Sequence, residues 1–169
     1  MDGFLLDTVA ASILWDQRHK EHIRLRGFLQ RFEDAPTWIS TVVLGEIEYG
    51  LKTAPQMDED RQDEVRRQMA RFPLVLDVSK HTVGPYSELR AALFRLYSPK
   101  DRRGRLTAKR PEELWEATSA KELGVQENDI WIAAQAIQYN LVLVTEDHMR
   151  RVQEVSTTLD YSLKIASWK

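Results

Sequence analysis

Short apolar runs recur along the chain, and longer segments with helical spacing separate them. Each run has the length of a buried strand and is bounded by polar residues. The runs cover residues 4–6, 38–39, 74–76 and 141–144, and an alternating tail at 161–165 has the pattern of an edge strand. Because helical segments lie between successive runs, the pattern predicts an α/β protein with a parallel sheet and helices on both of its faces.

The helical segments begin and end at residues that commonly cap helices. Gly124 has the position of a left-handed cap after a helix predicted over 111–122. Further helices are predicted over 20–33, 56–72 and 82–97. The other expected caps are Thr8 for the first helix, Ser40 or Thr41 for the helix over 42–51, and Asn128 and Asn140 for a helix from Asp129 to Tyr139.

Composition narrows the class of protein. The 169 residues contain no cysteine, which excludes disulfides, thiolate zinc sites, iron–sulfur clusters and cysteine nucleophiles. The sequence has no basic leader and no membrane-length apolar run, so a soluble, cytoplasmic protein is expected. The length suits a single domain over 1–169.

The charge is unevenly distributed. The formal net charge is −2, but residues 95–110 carry +6, which leaves −8 on the remainder. Such a run is often a solvated loop, and it is also typical of a segment that binds phosphates.

Four carboxylates are placed where a site is expected in this kind of sheet. Asp7 directly follows the first apolar run, and Asp147 comes shortly after the fourth. Glu46 and Asp129 lie on helix faces that the apolar pattern directs inward. Ligand sites of parallel α/β sheets form beyond the carboxyl ends of the strands, so the topology can bring all four acids to one rim.

Each acid also has a structural explanation. Asp7 suits a turn or a cap, and Asp129 suits the first turn of a helix, where an acid interacts favourably with the helix dipole. Glu46 can reach solvent from the edge of its apolar face. Glu146 competes with Asp147 for the fourth position, because the register of that loop is uncertain by one residue.

Taken together, the four acids indicate a cation site. Mutual repulsion makes such a cluster costly unless a divalent ion neutralises it. A ligand set made only of oxygen atoms selects hard ions such as Mg²⁺ or Mn²⁺, and the usual chemistry of such sites is hydrolytic phosphoryl transfer.

Four segments match, in order, the pattern of one protein family. They are FLLDT at 4–8, STVVLGEIEYGL at 40–51, NDIWIAAQA at 128–136 and LVLVTED at 141–147, and LKIASW at 163–168 is similar to the family's last strand. On these segments the chain resembles the PIN-domain family, and within it the VapC-type toxin ribonucleases of type II toxin–antitoxin systems. The resemblance implies a three-layer α/β/α fold with a four- to five-stranded parallel sheet.

The resemblance also implies an activity, a site and partners. The implied activity is that of a Mg²⁺- or Mn²⁺-dependent endoribonuclease that hydrolyses RNA by metal-activated water and is inhibited by a cognate antitoxin. It leaves a 5′-phosphate and a 3′-hydroxyl, and a homodimer is expected. The catalytic and metal-binding roles fall to Asp7, Glu46, Asp129 and Asp147, with Thr145 and Ser40 positioning carboxylates or a water.

The chain also departs from this pattern. Extra material at about 55–72 and 97–124 is expected to be helical and basic insertions in the single domain. Because the acidic site repels RNA, Arg102, Arg103 and Arg105 of the second insertion are expected to attract the RNA backbone.

Two other functions compete with a nuclease. A phosphatase of the haloacid-dehalogenase type needs a second aspartate two residues after the first, where this chain has Val9. A catalytically inert PIN scaffold that binds RNA or protein is the stronger alternative, since a fold does not guarantee activity. The presence of all four acids argues against it, because a scaffold gains nothing from a repulsive cluster.

Overall fold

A parallel sheet of five short strands forms the centre of the molecule in the computed structural model, which describes residues 3–32, 34–54, 58–116, 121–146 and 149–169. The strands of this sheet are β1 (Phe4–Leu6), β2 (Thr37–Ser40), β3 (Val75–Leu76), β6 (Val142–Val144) and β7 (Lys164–Ala166), and β4 (Trp115–Glu116) and β5 (Lys121–Glu122) form a separate antiparallel pair. The helices are α1 (Thr8–Trp15), α2 (His22–Gln30), α3 (Thr41–Thr53), α4 (Glu59–Arg71), α5 (Val83–Tyr97), α6 (Glu127–Gln138) and α7 (Arg150–Thr158).

The sheet has the strand order β3-β2-β1-β6-β7, and all of its strand pairs are parallel. The central strand β1 is almost completely buried, as expected for a strand that is covered on both faces. Leu6 pairs with Ile39 on one side and with Val144 on the other, so the carboxyl ends of three strands lie side by side. The predicted parallel sheet is confirmed, and the alternating tail is its edge strand β7.

The helices pack in two groups. α1 contacts α2, α3 and α4, while α5 contacts α6 and α7. This arrangement confirms the predicted α/β class and the helices over 20–33, 42–51, 56–72 and 82–97, with shifts of a few residues at their ends. In the described part of the chain, no helix is both long and apolar enough to cross a bilayer.

Two predicted caps are wrong by one or two residues. The cap of α1 is Asp7, whose carboxylate accepts a hydrogen bond from the Ala10 amide, and Thr8 is the first helical residue. The cap of α6 is Gln126, and Asn128 lies inside the first turn. Both shifts leave a polar side chain, that of Thr8 or Asn128, available for contacts elsewhere.

The helix predicted over 111–122 is also wrong. One 3₁₀ turn, Pro111–Glu113, is followed by the antiparallel pair β4 and β5, and Ala117–Ala120 lie outside the described residues. The Glu113 carboxylate accepts hydrogen bonds from the amides of Lys109 and Arg110. These bonds stabilise the 3₁₀ turn at its start. Leu114 is buried and Trp115 is exposed, an alternation that suits a strand.

An ion pair attaches the exposed helix α4 to the end of α1. Arg61 donates to both carboxylate oxygens of Asp16, from Nε at 3.1 Å and from Nη2. Burial opposes ionisation of Asp16, but the hydrogen bond and charge of Arg61 outweigh it and lower the pKa of this carboxyl. The side chain of Arg61 is 36% exposed, so solvent screens part of this interaction.

Replacement of Arg61 by alanine is expected to lower the free energy of unfolding at pH 7 by about 1 kcal/mol. Because the folded-state pKa of Asp16 is lowered, this contribution is present above its ordinary pKa of 3.8 and is lost as the pH falls through the lower folded-state value. Urea titrations of both proteins at pH 7 and at several pH values below 3.8 measure the difference and its loss. Arg67→Ala is the control, because Arg67 pairs with Glu64 of the same helix. An equal loss in both variants would contradict the assignment.

Candidate active site

Three polar residues line the carboxyl edge of the sheet. Asp7 follows β1, Ser40 ends β2 and Thr145 follows β6, and all three are almost fully buried. The Asp7 amide donates to the Val144 carbonyl at 3.1 Å, which ties the end of β1 to the end of β6. The register therefore brings these three side chains to one edge of the sheet.

Asp7 is a buried carboxylate with a local role. Only 5% of the residue is exposed, and Oδ1 accepts a hydrogen bond from the Ala10 amide at 2.7 Å. This bond satisfies one of the amides that a helix start leaves without a partner. The capping interpretation is thus correct for Asp7, and it fixes the carboxylate at the sheet edge.

Glu46 lies on α3 and receives two side-chain hydrogen bonds. Thr8 Oγ1 donates to Oε2, and Asn128 Nδ2 donates to Oε1 at 2.9 Å. Within the described part of the chain, both bonds come from neutral side chains, so no basic group neutralises this charge. Thr8 directly follows Asp7 in the sequence, and Asn128 directly precedes Asp129. Glu46 is therefore bonded to the sequence neighbour of each aspartate.

Asp129 is the third residue of α6. Its Oδ2 accepts a hydrogen bond from the Gln126 amide at 2.7 Å, which closes the start of the helix. The side chain is half-buried. Asp129 therefore stabilises the start of α6, as its position in the first turn predicts. The same turn contacts Glu46 through Asn128.

The fourth acid is only partly described. Asp147 lies outside the described residues. The Glu146 carboxylate accepts from Ser167 Oγ at 2.8 Å and pairs with Lys169 Nζ, so it is held by the last residues of the chain. Burial raises the pKa of Glu146, but Lys169 and Ser167 outweigh it and lower the pKa overall. The choice between Glu146 and Asp147 for the fourth position stays a prediction.

The donor chemistry suits a hard divalent ion. Asp7, Glu46 and Asp129 offer only carboxylate oxygens, beside the hydroxyls of Thr8 and Thr145, which is the donor type that Mg²⁺ and Mn²⁺ prefer. Over residues 3–32, 34–54, 58–116, 121–146 and 149–169, no three His, Asp or Glu side chains are grouped closely enough to share an ion. The set of four acids predicted from the sequence also includes Asp147, which lies outside these ranges.

An open cleft of about 740 Å³ lies beside Glu46. Its polar lining includes Thr8, Thr41, Gln126 and Asn128, and its apolar lining includes Val42, Tyr49, Val78 and Trp131. Sequence reasoning assigned none of these side chains to the site. The position of Thr8 and Asn128 next to a predicted acid is the feature of the sequence that could have identified them as site residues.

The described residues that line this cleft include none from the basic loop. Asp101 Oδ1 accepts from the amides of Arg103 and Arg105, and Oδ2 accepts from Arg105 Nε at 2.8 Å. Among the described residues, no hydrogen bond of Arg102, Arg103 or Arg105 reaches the cleft. After this loop, Lys109 and Arg110 line a groove together with Arg90 of α5.

The family model described as "PIN domain" matches residues 4–155. The chain belongs to the PIN-domain family. The matched region contains the sheet strands β1, β2, β3 and β6, and the acids Asp7, Glu46 and Asp129. The predicted PIN fold is therefore confirmed. No curated protein matches the sequence.

Several solved structures share this PIN fold. The chain is 20% identical to a chain of VapBC from Salmonella typhimurium bound to DNA, with full coverage of both chains and a TM-score of 0.65. It is 20% identical to a chain of VapBC2 from Rickettsia felis bound to a promoter DNA fragment, with 98% coverage of each chain and a TM-score of 0.63. For VapBC-1 from nontypeable Haemophilus influenzae the identity is 18%, the coverage 98% and 97%, and the TM-score 0.59.

Proposed function

We propose that this PIN-domain protein is a metal-dependent endoribonuclease of the VapC toxin type. One observation carries the proposal: Glu46 accepts hydrogen bonds from Thr8 and Asn128, the neighbours of Asp7 and Asp129, at the carboxyl edge of the sheet. Acids at this edge of the sheet, completed by Asp147, support hydrolysis of phosphodiester bonds better than they support the inert scaffold, which does not require them.

Asp7, Glu46 and Asp129, together with Asp147, would hold Mg²⁺ or Mn²⁺. A bound ion of this kind activates water and stabilises the negative charge that develops on the phosphate. The protein's own contribution is positional. The cap bonds fix Asp7 and Asp129 at helix starts, and Thr8 and Asn128 orient Glu46. Ser40 and Thr145 complete the polar edge, where they position a carboxylate or a water.

Cleavage of a purified pool of tRNA and rRNA tests this function. The wild-type protein is incubated with Mg²⁺, with Mn²⁺ and with EDTA, and the ends of the products are analysed. We expect cleavage only with a metal ion, with 5′-phosphate and 3′-hydroxyl ends. Folded protein that cleaves none of these RNAs with either ion would favour the inert scaffold.

An antitoxin is the proposed protein partner. The solved structures with the same fold include toxin–antitoxin assemblies, although each is at most 20% identical to this chain. We also propose that residues 1–169 form one PIN domain in which 55–72 and 97–124 are insertions, and that the protein forms a homodimer. Size-exclusion chromatography with light scattering measures the last of these directly.

The basic loop is expected to attract the RNA backbone. Replacing Arg102, Arg103 and Arg105 by glutamine should reduce the salt dependence of RNA binding, with the slope of log K against log salt becoming smaller by about 2. Arg105 already pairs with Asp101, so Arg102 and Arg103 should contribute most of this change. Anisotropy titrations across a salt series measure the slope. Arg31→Gln, an exposed change on another part of the chain, is the control.

The acids at 146 and 147 are expected to behave differently. Glu146→Gln should retain RNA cleavage, because its carboxylate already binds Ser167 and Lys169. Asp147→Asn should lose at least about 90% of cleavage if it is the fourth metal-binding acid. Initial cleavage rates of the two variants with Mn²⁺ decide between them, and the reverse outcome would exchange the assignments.

A further inference from the structure

Two aromatic side chains, exposed Tyr49 and half-buried Trp131, line the cleft together with Glu46. Tyr49 follows Glu46 by three residues on α3, lines the cleft and is 71% exposed. Trp131 lines the cleft from α6, three residues after Asn128. Val78, which is 40% exposed, adds a further apolar contact. Large exposed side chains around a polar site are typical of a surface that contacts a ligand.

Trp131 is held by a rigid support. The rings of Tyr86 and Trp131 are stacked, with centroids 3.6 Å apart and planes within 5° of parallel. Tyr86 lines a separate groove of about 420 Å³, so the ring pair stands between that groove and the cleft. An aromatic ring fixed in advance loses little conformational freedom when a ligand stacks on it.

Hydrogen bonds to charged side chains hold Tyr86 in place. Tyr86 donates its hydroxyl hydrogen to Glu127 Oε1, and Arg90 Nη1 donates to Glu127 Oε1 at 3.0 Å. Arg90 also donates to the Tyr86 hydroxyl oxygen at 2.5 Å. Glu127 is the first residue of α6, so these bonds connect α5 to the helix end that carries Asn128 and Asp129.

We propose that Tyr49 and Trp131 are stacking surfaces for the bases on either side of the cleaved phosphate. The proposal rests on the ribonuclease function and adds the residues that position the RNA. Aromatic rings stack on any base, whereas a base inside a duplex has no free face. The amide side chains of Gln126 and Asn128, at the start of α6, also line the cleft, and amide groups of this kind can bond to base edges. The cleft should therefore select unpaired nucleotides.

Binding without a metal ion tests this assignment separately from cleavage. Anisotropy titrations in EDTA compare a labelled single strand with the same strand in a duplex. For the wild-type protein we expect tighter binding of the single strand. Tyr49→Leu and Trp131→Leu should each weaken single-strand binding roughly tenfold and change duplex binding by less than about twofold. Tyr49→Phe and Trp131→Phe should restore most of the affinity.

Two further measurements remove the effect of folding. Tyr139→Leu is the matched control, because Tyr139 is an exposed aromatic residue just after α6 and does not line the cleft. A 2-aminopurine base beside the expected cleavage position should lose fluorescence on binding to wild type, and lose less on binding to folded Tyr49→Leu. Unchanged single-strand affinity in Tyr49→Leu would overturn the proposal and leave this surface as a protein contact. Wild-type protein that binds neither RNA would instead overturn the ribonuclease function.

Discussion

Asp7→Asn is expected to slow RNA cleavage at least about a hundredfold while the protein stays folded. Asparagine keeps an oxygen that accepts the hydrogen bond from the Ala10 amide, so the start of α1 is preserved. It removes the negative charge, which is the property that a divalent ion requires. The free energy of unfolding should change by less than about 1 kcal/mol, because the cap bond of α1 is kept.

Asp7→Ala separates the two roles of this residue. Alanine removes the charge and the cap, so this variant should lose cleavage and also about 1 kcal/mol of stability. Initial cleavage rates with Mn²⁺ and urea titrations of both variants measure the two effects. An Asp7→Asn protein that is folded and cleaves at the wild-type rate would contradict the role of Asp7 in catalysis.

Glu46→Gln is expected to have the second large effect, a loss of cleavage of about a hundredfold. The glutamine side chain has a similar shape and retains one carbonyl oxygen, so one of the bonds from Thr8 and Asn128 can persist. Thr8→Val and Asn128→Ala should reduce cleavage less, by about tenfold each, because they act by orienting Glu46.

The same helix supplies the matched control for Glu46. Glu48 also lies on α3, but it pairs with Lys52 and Arg66 instead of with residues of the cleft. Glu48→Gln should therefore cleave RNA at the wild-type rate, measured under the same conditions. Equal losses in Glu46→Gln and Glu48→Gln would indicate a general effect of charge on RNA binding, and would contradict a specific role for Glu46.

The sequence predicts the parts of the fold that depend on burial. Strands β1, β2 and β6 each match a short apolar run, because strands inside the sheet bury most of their side chains, and the edge strands β3 and β7 match a further apolar run and the alternating tail. The position of Asp7 follows from the same reasoning, since the end of a buried strand fixes the residue after it. Glu46 and Asp129 are predicted from helical spacing, and the structure brings their helices together.

The features that the sequence does not predict depend on distant contacts. Thr8 and Asn128 bind Glu46 from 38 and 82 residues away, and both have the local pattern of helix caps. The strands β4 and β5 replace a predicted helix because Leu114 and Leu123 pair through their backbones. The helix α7 has no counterpart among the predicted elements. The Tyr86–Trp131 stack joins two helices and has no local signature.

Binding of Mn²⁺ tests most directly the claim that these acids form a cation site. A titration of the wild-type protein followed by electron paramagnetic resonance measures the free ion without any RNA. We expect specific binding that both Asp7→Asn and Asp129→Asn lose and that Glu48→Gln retains. Equal Mn²⁺ affinity in all four folded proteins would contradict the carboxylate site and the hydrolytic function proposed for it.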